Sequence, residues 1–126
     1  MSLRSPLSRV LGLGSAKDGT EHWWAQRVTA VALVLLGGWF TWSLVSLDSF
    51  TYLDVIRFIG QPMNAVLLML LSLTLAYHSY LGVQVVIEDY VHEPGAKVAS
   101  LLASRFVHAF VAIAAVYAIL VIGIGS

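Results

Sequence analysis

One segment near the middle of the chain carries most of the side chains that could do chemistry. It reads His78-Ser-Tyr-Leu-Gly82-Val-Gln-Val-Val-Ile-Glu-Asp89-Tyr90 and continues a long apolar run. An ionisable group in the hydrocarbon core of a membrane is energetically costly, so its presence marks a candidate functional site. Eleven residues separate His78 from Asp89, which is close to three helical turns, so both side chains lie on one helix face. The segment therefore predicts a buried ligand and a polar cluster on one face.

Two interpretations of His78 follow from its type and position. It makes a helix–helix hydrogen bond or faces a small water pocket, or else it is an axial ligand of a b-type haem. Gly82 lies one turn further along the same face, and without a side chain it would let a flat macrocycle lie close. At a rise of ~1.5 Å per residue, His78 lies roughly 16 Å from Asp89 along the axis. We therefore expect His78 near the bilayer centre if Asp89 is at the membrane surface.

Asp89 and Tyr90 end this helix and suit a small-molecule site at the membrane surface. Tyr90 offers a phenolic hydrogen-bond donor, which a quinone carbonyl needs. Because reduction of a quinone takes up protons, Asp89 is a candidate proton relay. The alternative is an ordinary helix end, although a negative charge is poorly placed at a helix C-terminus.

Arg27 and the other histidines are weaker candidates. Arg27 opens the first apolar run, where it either snorkels to the phosphate layer or pairs with haem propionates. We expect His108 to lie only a few residues inside the third helix, shallower than His78. A second haem ligand is therefore expected from another subunit. No role is predicted for His22 or His92.

The elements that must position these residues are long apolar helices. Of the 126 residues, 59% are hydrophobic and 11% are charged, whereas about a quarter are charged in a typical soluble domain. Three runs contain no Asp, Glu, Lys or Arg: residues 28–47, 63–87 and 106–126. About 20 apolar residues cross a hydrocarbon core of roughly 30 Å, so each run predicts a spanning helix.

The predicted fold is therefore all-α and integral to the membrane, with three transmembrane helices. The expected organisation is a cytoplasmic N-terminal segment (1–22) and a membrane domain (23–126) with helices at about 25–47, 63–89 and 100–124. The middle helix is longer than one crossing requires, so it should tilt or project into water. A short amphipathic piece is expected at residues 52–58, and Glu93-Pro94-Gly95 predicts a turn before the third helix.

The positive charges predict the orientation. Six of the seven Lys and Arg residues lie in the N-terminal part through Arg27 or in the loop between the second and third helices. Only Arg57 lies on the opposite side. The excess of positive charge predicts a cytoplasmic N-terminus and a periplasmic C-terminus.

The composition also excludes several classes of function. The chain has no cysteine, which excludes a disulfide framework, an iron–sulfur cluster held by this chain and a covalent c-type haem. A formal net charge of zero gives no basis for binding nucleic acid. Polar side chains within the helices need partners that three helices cannot easily supply. We therefore expect a subunit of a larger membrane complex, in contact with lipid.

The motif His78-x3-Gly82-x-Gln84-x4-Asp89-Tyr90, with Arg27-x-Thr29-Ala30 opening the first helix, resembles a known family. It is similar to the small membrane-anchor subunit of succinate dehydrogenase, in the version found in alphaproteobacteria and mitochondria. The resemblance covers nearly the whole length from about residue 20. The expected location is the bacterial inner membrane, in preference to the mitochondrial inner membrane.

The resemblance also implies roles for individual residues. His78 would be an axial ligand of haem b, shared with a histidine of the larger cytochrome b subunit. Arg27 would lie close to the haem propionates, with Gly82 packing on the macrocycle, and Tyr90 and Asp89 would bind ubiquinone. FAD and the iron–sulfur clusters would belong to the flavoprotein and iron–sulfur subunits, docked on the cytoplasmic side. The chain would not be catalytic alone.

Two alternatives stay open at this point. One is the anchor of a fumarate reductase, which runs the same chemistry in the opposite direction. The other is a small structural or proton-conducting membrane protein without a cofactor, in which His78 and Asp89 form a proton path.

Overall fold

A computed structural model of the chain describes the backbone of residues 15–125 and the side chains from residue 19 onward, and all regular structure there is helical. The helices are α1 (Ser15–Val45), α2 (Tyr52–Gly60), α3 (Pro62–Tyr90) and α4 (Pro94–Gly125). By length and composition α1, α3 and α4 are able to cross a membrane. This confirms the predicted all-α fold with three spanning helices. The side of the membrane that each terminus faces stays a prediction.

The long helices begin earlier than the charge pattern predicted. The first begins at Ser15, inside the segment expected to be a polar lead, and α4 begins at Pro94 rather than near residue 100. Polar residues continue a helix into water as readily as apolar ones continue it into lipid, so the edge of an apolar run does not end a helix. Residues 1–14 lie outside the described range, and the division at residue 22 stays a prediction.

The turn predicted at Glu93-Pro94-Gly95 is the N-terminus of α4. Pro94 takes the first helical position, where its missing N–H is not needed. The Glu93 carboxylate accepts hydrogen bonds from the backbone N–H of Gly95, at 2.9 Å, and from that of Ala96. Glu93 thus satisfies two of the donors that a helix N-terminus leaves free, and α4 begins immediately after it.

This cap should make the first turn of α4 sensitive to pH. The hydrogen bond from Ala96, followed by that from Gly95, holds the pKa of the Glu93 carboxyl below its usual range. A carboxylate with a lowered folded-state pKa stabilises the fold above the usual pKa, and this contribution is lost as the pH falls through the lowered value. We expect Glu93→Ala to speed amide hydrogen exchange at Gly95 and Ala96 near neutral pH. Glu93→Asp, which keeps a capping carboxylate, should leave exchange slow; equal exchange in all three proteins would contradict the cap.

Helix α3 lies between the other two long helices. Both α1 and α4 pack against α3, whereas α1 and α4 do not pack on each other within residues 15–125. Leu36 and Leu81 are the buried hydrophobic residues in this range. Most of the large apolar side chains are exposed, as expected where lipid or another membrane subunit covers them.

The short helix α2 confirms the predicted amphipathic piece. Thr51 caps its N-terminus, and Arg57 lies 3.8 Å from the Asp54 carboxylate one turn away. The hydroxyls of Ser49 and Thr51 also donate to Asp54 and, with Arg57, hold the pKa of its carboxyl below the usual range. The helix ends before Gln61 and Pro62, so α2 lies within the segment that joins α1 to α3.

His108 joins α4 to α3 through hydrogen bonds. Its Nδ1 donates to the backbone carbonyl of Ser104 at 2.7 Å, and its Nε2 accepts from the Ser79 hydroxyl at 3.1 Å. Because Ser79 is next to His78, His108 lies at the depth of His78, and the prediction that it is shallower is wrong. The cause is the length of α3, whose last turns extend beyond the start of the charge-free run of α4, so that His78 lies level with His108.

Candidate functional site

His78 is half-buried on the side of α3 that packs against α1. Its Nδ1 lies 2.9 Å from the hydroxyl oxygen of Thr29. That hydroxyl also lies 2.7 Å from the backbone carbonyl of Ala25, one turn earlier in α1. Threonine commonly makes this bond in a helix, because its hydroxyl reaches the carbonyl four residues back. The histidine is therefore tied to the backbone of the neighbouring helix.

The contact with Thr29 also sets the depth of His78. Thr29 lies two residues inside Arg27, at the point where the charge-free run of α1 begins. On the other side of α3, Tyr80 lies 3.3 Å from the guanidinium of Arg105, where the charge-free run of α4 begins. Both neighbours place His78 near the edge of the apolar region, rather than near the bilayer centre as expected from α3 alone.

The length of α3 explains the difference. Its 29 residues span about 43 Å, whereas a hydrocarbon core is roughly 30 Å thick. The last turns of α3 therefore project beyond the level of Arg27. Asp89 lies roughly 16 Å further along the axis than His78, outside the apolar layer that the charges of α1 and α4 define. That the middle helix projects or tilts stays a prediction, which its length of 29 residues favours.

His78 and Arg27 line one cavity of about 390 Å³ on the surface between α1 and α3. Its other lining residues are Trp23, Gln26 and Ala30. The guanidinium of Arg27 lies 5.4 Å from the centroid of the Trp23 ring, a distance that suits a cation–π contact. Trp23 is thus a residue of the candidate site that the sequence analysis did not single out, because the sequence of α1 alone does not show which side chains face α3.

Gly82 lies next to this cavity. A Cβ atom built on it would meet only the Gln26 side chain, at 4.0 Å, which is ordinary van der Waals contact. Nothing in the described part of this chain therefore requires glycine at that position. Only a group outside the described part of the chain that approaches this face would require glycine here.

Asp89 and Tyr90 lie together at the C-terminal end of α3, away from the His78 cavity. Tyr90 is 78% exposed, and neither side chain makes a hydrogen bond within the described residues. Their polar neighbours are occupied elsewhere: Gln84 donates to the Glu88 carboxylate at 2.9 Å, and Lys97 donates to the Glu88 carbonyl at 3.2 Å. The phenol and the carboxylate are thus free to meet a ligand or a partner subunit.

His22 carries a feature that sequence reasoning missed. Its Nε2 atom is buried and has no hydrogen-bond partner in the described part of the chain. His22 lies seven residues before Thr29, which is about two turns, so both lie on one face of α1. Buried ring nitrogens are normally paired, so the unpartnered Nε2 of His22 is an exception among the described residues.

A free metal ion has no evident site within residues 15–125. No group of three or more His, Cys, Asp or Glu side chains there is arranged to hold one. A haem has a different requirement, because the macrocycle itself supplies four nitrogens and the protein supplies one axial ligand from each side. A single histidine with one ring nitrogen already engaged, beside an arginine and an open glycine, fits that requirement.

Comparison with known sequences decides the family. A sequence model of the family described as succinate dehydrogenase/fumarate reductase transmembrane subunit matches residues 1–122. The chain belongs to this family. It is 32% identical over 122 residues to the succinate dehydrogenase hydrophobic membrane anchor subunit of Paracoccus denitrificans, covering 97% of this chain and 94% of that protein.

Two further relatives carry similar names. The hydrophobic membrane anchor subunit of succinate dehydrogenase from Rickettsia bellii is 36% identical over 88 residues, which is 70% of each chain. The membrane anchor subunit from Reclinomonas americana is 27% identical over 113 residues, covering 79% of this chain and 85% of that protein. The resemblance inferred from the α3 motif is therefore confirmed. This member of the family is an integral membrane anchor of succinate dehydrogenase, and catalysis belongs to partner subunits.

Proposed function

We propose that this chain anchors a succinate:ubiquinone oxidoreductase in the bacterial inner membrane, helps to hold haem b and completes the ubiquinone site. Electrons from succinate would pass through flavin and iron–sulfur centres on the partner subunits to ubiquinone. The observation that carries the proposal is the engaged Nδ1 of His78 beside a cavity that Arg27 also lines. This pairing of a ligand and a cation is what a haem with its propionates needs.

Three residues of this chain would hold the haem. His78 would be the axial ligand through Nε2, since Nδ1 is engaged by Thr29. Arg27 would pair with the propionates, because a guanidinium donates in a fork that matches a carboxylate. Gly82 would leave room for the macrocycle. The haem, when bound, supplies one-electron redox chemistry, and the second axial ligand would come from a histidine of the cytochrome b subunit.

The ubiquinone site would lie at the C-terminal end of α3. Tyr90 would donate a hydrogen bond to a quinone carbonyl. Its phenol is available for this because it makes no hydrogen bond within the described residues. Asp89 at the water boundary would pass protons to the reduced quinone. The flavoprotein and iron–sulfur subunits would dock at this end, on the cytoplasmic side that the positive charges predict.

Succinate oxidation is the direction favoured by the names of the relatives, which are succinate dehydrogenase subunits. The family description covers fumarate reductase as well. An anchor subunit does not set the direction, because this depends on the quinone potential and on the soluble subunits. In the cofactor-free alternative His78 and Asp89 carry protons and no haem is bound. A haem chromophore in the purified complex would therefore exclude this alternative.

The test is a reduced-minus-oxidised visible spectrum of the gently solubilised complex, recorded before and after addition of succinate. A b-type band that grows with succinate supports haem binding and succinate oxidation together. A band that needs a strong chemical reductant supports the haem and leaves two explanations, a different electron donor or a haem potential too low for succinate to reduce. A complex that oxidises succinate without any b-type band refutes the haem part of the proposal.

A further inference from the structure

We infer that Thr29 is a positioning residue for His78: its hydroxyl selects the tautomer and ring orientation in which Nε2 is free to bind iron. The inference rests on the proposed haem ligation by His78. It goes beyond that proposal because it assigns a function to a residue on the neighbouring helix.

The argument starts from the single proton of the Thr29 hydroxyl. Its oxygen has three polar neighbours: the carbonyl of Ala25 at 2.7 Å, the carbonyl of Gln26 at 3.1 Å and Nδ1 of His78 at 2.9 Å. Carbonyl oxygens only accept hydrogen bonds. A carbonyl is therefore hydrogen-bonded to Thr29 only if it receives the single hydroxyl proton. The Ala25 distance is typical of an O–H···O bond, and the His78 distance is typical of an N–H···O bond.

The proton assignment follows from these distances. The hydroxyl of Thr29 donates to Ala25 and uses a lone pair to accept from Nδ1–H of His78. A neutral imidazole carries one N–H, so Nε2 then carries a lone pair and no proton. This is the tautomer that a metal requires at Nε2. The reverse arrangement, with Thr29 donating to Nδ1, would place the proton on Nε2 and block it.

The anchor for this bond is the backbone of α1. Because Thr29 is held to its own helix by the Ala25 carbonyl, the acceptor for His78 has one fixed position relative to α1. The plane of the imidazole is therefore set by the packing of α1 on α3. A hydrogen bond to the second ring nitrogen also makes the ligand a better electron donor, and this stabilises the oxidised metal.

The experiment uses the assembled four-subunit complex in its native membranes. Thr29→Val keeps the branched shape and removes the hydroxyl, whereas Thr29→Ser keeps the hydroxyl. Ser43→Ala is the matched control, because the Ser43 hydroxyl donates to the Trp39 carbonyl at 2.8 Å on the same helix and has no histidine contact. The measurements are haem content per flavin, the haem midpoint potential and the electron paramagnetic resonance spectrum of the ferric haem.

We expect Thr29→Val to raise the midpoint potential of the haem and to shift the ferric spectrum. Without the hydrogen bond to Nδ1, His78 would be a weaker electron donor and would stabilise the oxidised haem less. Thr29→Ser and Ser43→Ala should match the wild type. If Thr29→Val does not assemble, Thr29→Ala makes the same comparison with Thr29→Ser. A Thr29→Val complex with full haem, wild-type potential and wild-type spectrum overturns the inference, as does an equal shift in Thr29→Ser. An unaltered haem in His78→Ala would instead refute the ligand proposal itself, so the two failures are distinguishable.

Discussion

His78→Ala is expected to abolish the b-type haem spectrum of the complex or to alter it to that of a haem with a missing axial ligand. The physical reason is that alanine offers no nitrogen to the iron, whereas the Nε2 of His78 is left available by the contact of Nδ1 with Thr29. The measurement is the reduced-minus-oxidised spectrum together with haem content per flavin. An unaltered spectrum would remove His78 from the haem site.

His108→Ala is the matched control for this prediction. His108 lies at the same depth as His78, but both of its ring nitrogens are engaged, by Ser104 and by Ser79. Its replacement removes an interhelical hydrogen bond, which is worth about 0.6 kcal/mol on average in a membrane protein. We therefore expect this variant to keep the haem spectrum and to lose a little thermal stability. If His108→Ala lost haem as completely as His78→Ala, the loss in both variants would be explained by destabilisation of the helix packing rather than by the loss of an iron ligand.

Tyr90→Phe is expected to lower ubiquinone reduction about fivefold or more while the oxidation of succinate with an artificial soluble acceptor is unchanged. The substitution removes one hydrogen-bond donor and little else, and one such bond is worth ~1 kcal/mol, which corresponds to about a fivefold change in rate. Tyr90 makes no hydrogen bond within residues 15–125, so the fold should not suffer. The two assays together separate quinone chemistry from the soluble subunits.

Tyr77→Phe provides the comparison for Tyr90. Tyr77 lies in the same helix and is 49% exposed, but it lies more than three turns from the C-terminal end of α3. We expect its replacement to leave both assays at the wild-type level. Equal quinone turnover in the wild type and in Tyr90→Phe would place the quinone donor elsewhere, and equal losses in the two variants would indicate a general effect of removing a hydroxyl from α3.

The relation between the two proposed sites follows from α3 alone. One continuous helix, Pro62–Tyr90, carries both His78 and the pair at its C-terminal end. A helix is stiff over this length, so the axial separation of roughly 16 Å between His78 and Asp89 is set by its rise per residue. The haem and quinone proposals are therefore linked by one rigid element, whereas the Arg27 and Thr29 contributions depend on how α1 packs.

The local elements were predictable from the sequence because each depends on residues close together in the chain. Three charge-free runs predicted three spanning helices, since a charge in hydrocarbon is costly at any position along a helix. Asp54 and Arg57, one turn apart beside apolar residues, predicted α2. The α3 motif predicted the family. Each of these signals lies within a single segment and does not depend on the partner helix.

The tertiary structure alone decided the register between helices. The contact of Thr29 with His78 and that of Ser79 with His108 place both histidines level with the charged ends of α1 and α4. Sequence reasoning put His78 deeper and His108 shallower, because it measured depth along each helix separately. Relative depth depends instead on how side chains of neighbouring helices pack and pair. The sequence by itself predicted His78 and Arg27 as candidates for binding a haem, and only the packing of α1 on α3 brought Thr29 into contact with His78.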